Sequence, residues 1–248
     1  MKTIVSIVIF LQLCTLGLYA QVYSGSVEYK ASSLFEIQEI QLDSMQKVSQ
    51  NKQAFEKFKE IVNNKNTITC KLEFTGYLSK FIQQEVLSST KNIFLRAAIG
   101  KGIYFSNRKT NVITEQNDRY GDVFLISYPK LNWEIVNESK VISGFLCGKA
   151  ITQVAENSAT TQMKTVVAWF AFDLPFNFGP KQFNGLPGLI LELEYFGRYK
   201  LTATKIVLNP EKRIEIQFPS KGIKISLKKY EEMISKSFLK SQKKYRKN

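Results

Sequence analysis

The sequence contains no histidine among its 248 residues. This absence excludes Ser-His-Asp and Cys-His catalytic arrangements, histidine metal sites and the usual proton shuttle at neutral pH. Glycine and proline are also sparse, at 13 and 6 residues against 44% apolar residues, which argues against disorder and collagen-like repeats. A compact chain of this size buries roughly 70–75% of its unfolded surface, so a sizeable core needs neither metal nor many disulfides.

Long apolar runs are lacking except at the start of the chain. Lys2 precedes an apolar stretch from Ile4 to Leu18, and the small residue Ala20 follows it. This order is typical of a secretory signal peptide, and a stretch of about 15 residues is shorter than the roughly 20 that a membrane anchor needs. We therefore expect residues 1–20 to be cleaved and the mature chain to be periplasmic or secreted.

Cysteine is scarce, because only Cys70 and Cys147 remain after residue 20. In an exported protein they can form a disulfide, which would stabilise the fold by about 4 kcal/mol on a chain-entropy model. The alternative is two separate buried thiols that pack as small apolar side chains. The sequence leaves both interpretations open.

Period-two patterns indicate several β-strands. Apolar and polar residues alternate over 68–74, 189–195, 213–218 and 223–228, which predicts strands with one buried and one solvated face. Such strands are typical of antiparallel sheets. Residues 165–172 are apolar on both faces and predict a central strand covered on each side.

Two segments have helical periodicity. Residues 44–62 place apolar side chains at three- and four-residue steps after a capping-box pattern, and residues 227–245 do so with lysine on the opposite side. We expect an α+β fold: a large, curved antiparallel sheet, as a meander or half-barrel, with a long N-terminal helix. Residues 21–227 would form one β-rich domain and residues 228–248 a basic helix or tail.

Positive charge is concentrated at the C-terminus. The formal charge of +14 becomes +13 without Lys2, and residues 221–248 carry ten Lys or Arg and two Glu, a net of +8. This density favours an anionic membrane surface or lipopolysaccharide, or simply a tail that resists self-association. Nucleic acid is not an expected partner, since no nucleic-acid motif accompanies the charge. The candidate residues are Lys228, Lys229, Lys236, Lys240, Lys243, Lys244, Arg246 and Lys247.

Turn residues cluster at positions 178–190, just before a predicted strand. Pro187 presets its φ and Gly188 accepts a positive φ, so residues 186–189 predict a type II turn that directs Leu189 into the core. The apolar and glycine residues of this motif carry no titratable group. It is therefore either a rigid turn before a buried strand or an apolar surface that docks a partner or a lipid.

This motif closely resembles the signature of the GLPGLI family, secreted proteins of Bacteroidetes. Residues 143–150 resemble the family's Gly-aromatic-x-Cys-x-Lys-Ala stretch, and residues 167–170 resemble its Trp-bearing strand. The resemblance implies export and a β-rich fold and implies no particular activity. The matching residues are Trp169, Gly179, Pro180, Phe183, Gly185, Leu186, Pro187, Gly188, Leu189 and Ile190.

Catalytic patterns are few. Glu192 and Glu194 share a strand face near the motif, with Asp173 upstream, and paired carboxylates can divide acid and base roles when buried. The same spacing is typical of a solvated face. Asp118 to Asp122 predicts a turn rather than a calcium loop, and two cysteines without histidine make a poor zinc site. We expect no catalytic residue, metal or cofactor.

Two functions from different classes remain. The first is a non-enzymatic envelope protein whose sheet carries an apolar or lipid ligand or docks an envelope partner, with the basic tail on anionic surfaces. The alternative is a hydrolase or peptide-modifying enzyme that depends on the carboxylates named above.

Overall fold

The computed structural model describes residues 24–34, 52–53, 55–56, 67–84, 93–119, 121–155 and 162–245, of which 93–94 and 238–245 are described by their backbone alone. The strands are β1 Ser24–Ser33, β2 Ile68–Thr75, β3 Leu78–Gln83, β4 Ile103–Asn107, β5 Val112–Arg119, β6 Asp122–Ser127, β7 Glu134–Ile142, β8 Phe145–Ala155, β9 Met163–Ala171, β10 Leu189–Tyr195, β11 Tyr199–Leu208 and β12 Ile223–Ser226. The helices with assigned bounds are α1 Ile93–Ile99 and α2 Leu227–Tyr245.

All twelve strands form one open sheet in the order β12-β6-β5-β4-β3-β2-β1-β11-β10-β9-β8-β7. Strands β1 to β6 form one meander and β7 to β11 form another, and the first strand of one pairs antiparallel with the last strand of the other. The expected large β-rich sheet is confirmed. The expectation of a purely antiparallel sheet is wrong at one edge, where β12 pairs parallel with β6.

Cross-strand partners place one continuous apolar row on the inner face of the sheet. The buried Ala168 pairs with Ala150 and Leu193, and Leu201 pairs with Ala31, across five strands of the two meanders. Three of these residues are alanines, whose small side chains leave room for other groups against the sheet. The outer face of the same strands carries polar and half-buried residues.

The sheet is strongly curved. Tyr104 of β4 and Tyr195 of β10 are separated by four intervening strands in the order, which corresponds to about 24 Å in a flat sheet at roughly 4.8 Å per strand. Both rings nevertheless lie close to one atom, the Nζ of Lys181, with centroids at 5.5 and 5.3 Å. The inner face is therefore concave.

The segment between β9 and β10, residues 172–188, fills this concave face; we call it the inner segment. Phe178 and Phe183 within it are fully buried, and the Phe178 ring lies 5.6 Å from that of Phe74 on β2. Trp133 donates a hydrogen bond from Nε1 to the carbonyl of Asn184 at 2.9 Å. The core of the molecule therefore lies between this segment and the sheet.

The turn predicted within the inner segment differs in detail. Gly188 does not have a positive φ; a Cβ there would lie 2.0 Å from the carbonyl oxygen of Ala171. The positive φ angles of the motif occur at Lys181, at 56°, and at Gly185, at 90°. Gly188 is thus required by close packing of two backbones, whereas Gly185 meets a left-handed conformation.

The predicted strands are present at 68–74, 189–195 and 223–226, but 213–218 is not a strand. The predicted single buried face holds for β2 and is wrong for β10, which is buried on both faces over Leu189–Leu193, and for β12, whose Ile223 is exposed. Ile216 is buried and the Phe218 ring packs at 5.5 Å from Phe105 without a ladder of backbone bonds. On β9, Trp169 is only half-buried and Phe172 beyond it is exposed, so the second face of this segment is only partly covered.

The predicted C-terminal helix corresponds to α2. Tyr230 is buried against Phe124 of β6, at 5.3 Å between ring centroids, and Met233 and Ile234 pack on the same cluster. The predicted helix at 44–62 and the signal peptide at 1–20 lie outside the described residues, apart from 52–53 and 55–56, which are helical with Phe55 buried. The sequence patterns did not predict α1, whose Leu95 and Ile99 are buried in the core. No helix in the described ranges is long and apolar enough to span a membrane.

Candidate functional site

A cavity of about 1050 Å³ opens on the concave side of the sheet. Its buried lining residues are Tyr104, Thr152, Lys181 and Gln182, and we call their position the deep end. Its exposed lining residues come from the loop between β6 and β7, from β8, from the start of β9 and from α2, and we call this region the mouth. The mouth is lined by Ser127, Pro129, Lys130, Asn132, Glu134, Gln153, Ala155, Met163, Ser226 and Lys228.

Lys181 is the charged side chain at the deep end. The inner segment carries it there in a left-handed conformation, with a φ of 56°, which costs a residue other than glycine roughly 1–2 kcal/mol. Its Nζ donates a hydrogen bond to the hydroxyl of Tyr199 at 3.2 Å. The rings of Tyr104, Tyr195 and Tyr199 surround the amine at 5.5, 5.3 and 5.8 Å from their centroids.

Burial determines the protonation of this amine. It lowers the pKa of Lys181 below the usual 10.5, and the nearby Tyr195, Glu115 and Cys70 act in the opposite direction without cancelling the effect. In the described part of the chain, Lys181 forms no ion pair that would hold its charge. The neutral amine is therefore favoured compared with a solvated lysine.

A chain of hydrogen bonds lies beside the amine. Tyr128 donates its hydroxyl proton to Oε2 of the buried Glu115 at 2.5 Å, and Asn117 donates from Nδ2 to Oε1 at 2.8 Å. Tyr104 hydrogen-bonds Tyr128, whose oxygen accepts because its own proton is directed to Glu115. A Cβ on Gly102 would lie 2.1 Å from Oε1 of Glu115, so this glycine makes room for the carboxylate.

The tyrosines at and beside the deep end remain protonated phenols. Burial raises the pKa of Tyr104 and Tyr128 well above 10.0, and the Tyr128 and Glu115 neighbours add to the shift at Tyr104. Burial likewise raises the pKa of Tyr195 to about 12 and that of Tyr199 further. These hydroxyls therefore stay protonated at neutral pH and can act as hydrogen-bond donors.

Gln182 leaves an acceptor unused at the deep end. The residue is 9% exposed, and its side-chain oxygen, Oε1, is buried without a hydrogen-bond partner. An unsatisfied buried polar group costs about 1–3 kcal/mol. The deep end thus holds an unsatisfied acceptor beneath the cavity surface, on the residue next to an amine that has a single hydrogen bond.

The family-motif residues lie mainly in the core of the inner segment and β10. Phe183, Leu186, Leu189 and Ile190 are at most 1% exposed, so the motif is not an exposed docking surface. Trp169 lies on the outer face of the sheet, where Lys140 Nζ is 4.1 Å from its ring centroid. None of these residues lines the cavity, although the motif region carries Lys181 and Gln182 into it.

The predicted carboxylates are not brought together in a site. Glu192 is buried but accepts from Lys140 Nζ at 2.6 Å and from Thr202 Oγ1 at 3.1 Å on the outer face. Glu194 is half-buried and Asp173 is exposed. The interpretation of Glu192 as solvated is wrong, because a bulge at this point of β10 and the neighbouring Lys140 cover it.

Cys70 and Cys147 are both free and buried, so no disulfide joins them. Burial raises the pKa of Cys70 to about 12 and that of Cys147 to about 11, which keeps both as thiols. No group of three or more metal-ligating side chains occurs among the described residues.

The predicted basic surface falls on α2 and beyond it. Lys228, Lys229 and Lys236 are exposed on the helix. Lys240, Lys243 and Lys244 belong to the part of α2 described by its backbone, and Arg246 and Lys247 lie outside the described residues.

Sequence reasoning missed the deep end of the cavity. The signal available in the sequence was a lysine inside a motif of glycine, proline and apolar residues. The partners Tyr104, Glu115 and Tyr128 lie more than 50 positions away from Lys181. No local pattern connects them to it.

Comparisons with known proteins support the fold and give limited family information. Residues 152–192 match a family model described as "Protein of unknown function (Porph_ging)", a family associated with Bacteroidetes. The match includes the inner segment and agrees with the resemblance of the motif. No curated protein matches the chain by sequence.

Two solved structures of PNGF-II, in two space groups, resemble this fold. They have TM-scores of 0.54 and 0.52, at 18% and 20% sequence identity, over 87% of this chain. The match covers only 33% and 34% of those chains, so this protein spans about a third of their length. At this identity the likeness establishes the fold.

Proposed function

We propose that this protein is a non-enzymatic, exported envelope protein whose curved sheet binds a small, largely apolar ligand with an oxygen-bearing polar end. The observation that supports this most directly is the cavity of about 1050 Å³ with Lys181 at its deep end. Ligand cavities are commonly about 300–1000 Å³, mostly apolar, with few polar groups that orient the ligand.

The distribution of polar and apolar groups supports this ligand class. Leu131, Ile151, Val154 and Met163 provide apolar surface along the cavity. Lys181 provides a hydrogen-bond donor at the deep end. An amphipathic molecule that enters with its polar end first would place an oxygen against this amine.

Binding of a fluorescent fatty acid, dansylamino-undecanoic acid, tests the proposal. We expect saturable binding of one probe per chain and at least a tenfold weaker affinity in Ala155→Trp, because a large ring at the mouth obstructs entry. Thr110→Trp is the matched control, since it adds the same ring at an exposed turn that does not line the cavity. Absence of saturable binding, or equal affinity in both variants, would contradict the proposal.

The proposal includes attachment to anionic surfaces through α2. Each lysine near an anionic membrane contributes about 1 kcal/mol, so losing three weakens binding by up to about 100-fold. The variant carries Lys→Gln at 228, 229 and 236, and its control carries Lys→Gln at the exposed 30, 205 and 212.

Co-sedimentation with phosphatidylglycerol vesicles, compared with phosphatidylcholine vesicles, measures this attachment. We expect the α2 variant to lose its preference for the anionic vesicles and the control variant to keep most of it. An equal loss in the two variants would show that net charge acts without any role for the helix.

A further inference from the structure

The deep end of the cavity has features of a reactive amine site as well as a binding site. Lys181 is buried, is held in a strained backbone conformation and forms no ion pair within the described part of the chain. A lysine that serves only as a structural cation normally has a carboxylate partner, because burying an unpaired charge is costly. Here the amine is surrounded by three tyrosine rings, one of which, Tyr199, also accepts its hydrogen bond.

We propose that Lys181 is a carbonyl-reactive amine, whose Nζ condenses with an aldehyde or ketone group of the ligand to form a reversible imine. This inference rests on the proposed function, because the ligand must first occupy the cavity. It narrows the oxygen-bearing end of that ligand to a carbonyl group.

The chemistry balances without an external oxidant or reductant. The nitrogen lone pair of Lys181 attacks the carbonyl carbon, and the carbonyl oxygen gains a proton to give a carbinolamine. Loss of that hydroxyl group as water, with a further proton from the nitrogen, leaves a carbon–nitrogen double bond. The two hydrogens of the amine and the oxygen of the carbonyl group thus leave as one water molecule.

The surrounding groups suit this chemistry. The Tyr199 hydroxyl, 3.2 Å from Nζ, can exchange a proton with the nitrogen. Tyr104 directs its own proton to Tyr128, so its oxygen can accept a hydrogen bond from the hydroxyl of the carbinolamine or from the released water.

Burial makes the nitrogen available as a nucleophile. Only a neutral amine carries the lone pair that attacks a carbonyl carbon, and desolvation favours that form of Lys181. The exposed Lys130 and Lys228 line the mouth of the same cavity and are solvated. They provide reference amines within the same chain.

Reductive trapping tests the inference on the full chain. The protein is incubated with benzaldehyde, or with acetaldehyde as a smaller probe, and sodium cyanoborohydride near neutral pH, and the adducts are located by peptide mass spectrometry. We expect Lys181 to be modified about tenfold faster than Lys130 or Lys228. Modification of the surface lysines without Lys181 by either probe would overturn the inference.

Variants separate reactivity from binding. Lys181→Arg keeps a cation and removes the reactive amine, so we expect the fast adduct to be lost while the adduct rates at Lys130 and Lys228 stay the same. Ala155→Trp should slow the adduct at Lys181 and leave the rates at other lysines unchanged. If wild-type protein binds the fatty acid but shows no Lys181 adduct, the carbonyl inference fails and the binding function stands; if neither occurs, both fail.

Tyr199→Phe tests the proton-exchanging hydroxyl. We expect a slower adduct at Lys181 and a shifted pH profile of its rate, whereas the adduct rates at Lys130 and Lys228 stay the same. A merely structural role for Tyr199 would change affinity and leave that pH profile in place.

Discussion

At the scale of single residues, Gly188 at the end of the inner segment and Gly148 in β8 show how differently the same substitution can act. A Cβ at Gly188 would lie 2.0 Å from a backbone carbonyl of Ala171, which cannot move without shifting β9. A Cβ at Gly148 would lie 2.6 Å from the end of the Phe172 side chain, which is 52% exposed and free to rotate away. The first clash is rigid and the second is not.

We therefore expect Gly188→Ala to destabilise the protein by about 3 kcal/mol and Gly148→Ala by less than about 1 kcal/mol. Urea denaturation followed by tryptophan fluorescence measures both. Equal losses in the two variants would contradict this explanation of the motif glycine.

Lys181 also affects how stability depends on pH. Its pKa is lowered in the folded state by burial, so the unfolded chain binds the proton more readily between the lowered pKa and 10.5. The free energy of unfolding contributed by this group consequently rises with pH over that range. Tyr195, Tyr199, Tyr104 and Cys70 face the amine but stay neutral below about pH 9.

We expect Lys181→Met to be more stable than the wild type near pH 6, with the difference shrinking toward about pH 9. Urea denaturation at intervals across this range provides the measurement. A difference that stays constant with pH would show that Lys181 keeps an ordinary pKa.

At the scale of elements, the inner segment is held together by its own polar contacts. Asn177 donates from Nδ2 to the carbonyl of the buried Leu186 at 2.6 Å and accepts from the amide of Gly185 at 3.1 Å through its backbone. This pair of bonds joins the two halves of the segment that carries Lys181. The side-chain bond is the one that a substitution can remove.

Asn177→Ala leaves a buried carbonyl unsatisfied, so we expect a loss of about 1–3 kcal/mol and faster amide exchange over 183–186. Asn137→Ala on the exposed face of β7 is the control and should change stability by less than about 0.5 kcal/mol. Hydrogen exchange mass spectrometry locates the effect. Unchanged exchange in the inner segment would show that apolar packing alone holds it.

At the scale of the whole molecule, the core on both sides of the β1–β11 junction contains groups that must stay neutral. Burial raises the pKa of Cys70 to about 12 from 9.0 and that of Tyr195 to about 12 from 10.0. When folding raises the pKa of an acid, its full contribution to stability is present at pH values below the pKa of the unfolded state. That contribution is lost as the pH rises toward the pKa of the folded state.

We expect the free energy of unfolding to fall between about pH 9 and about pH 12, and that of the Cys70→Ala variant to fall less steeply over the same range. Denaturant titrations at several alkaline pH values, with Ala203→Gly as a core variant that does not titrate, test this. An equal slope in Cys70→Ala and the wild type would mean that this thiol does not titrate on unfolding.

The sequence alone determined which face of β2 is apolar, the β-rich composition and the basic amphipathic helix α2, because these properties depend on the periodicity of neighbouring residues. It did not determine the burial of β10, where Ile190 and Glu192 on the predicted solvated face are also buried. Only the tertiary structure decided that β1 pairs with β11, that β12 runs parallel to β6 and that 213–218 forms no strand. It also decided that Lys181 lies against Tyr104 and Tyr199. The burial and the lowered pKa of Lys181 arise from groups that the curved sheet brings together. These groups are far apart in the sequence, so no pattern of neighbouring residues predicts their contact.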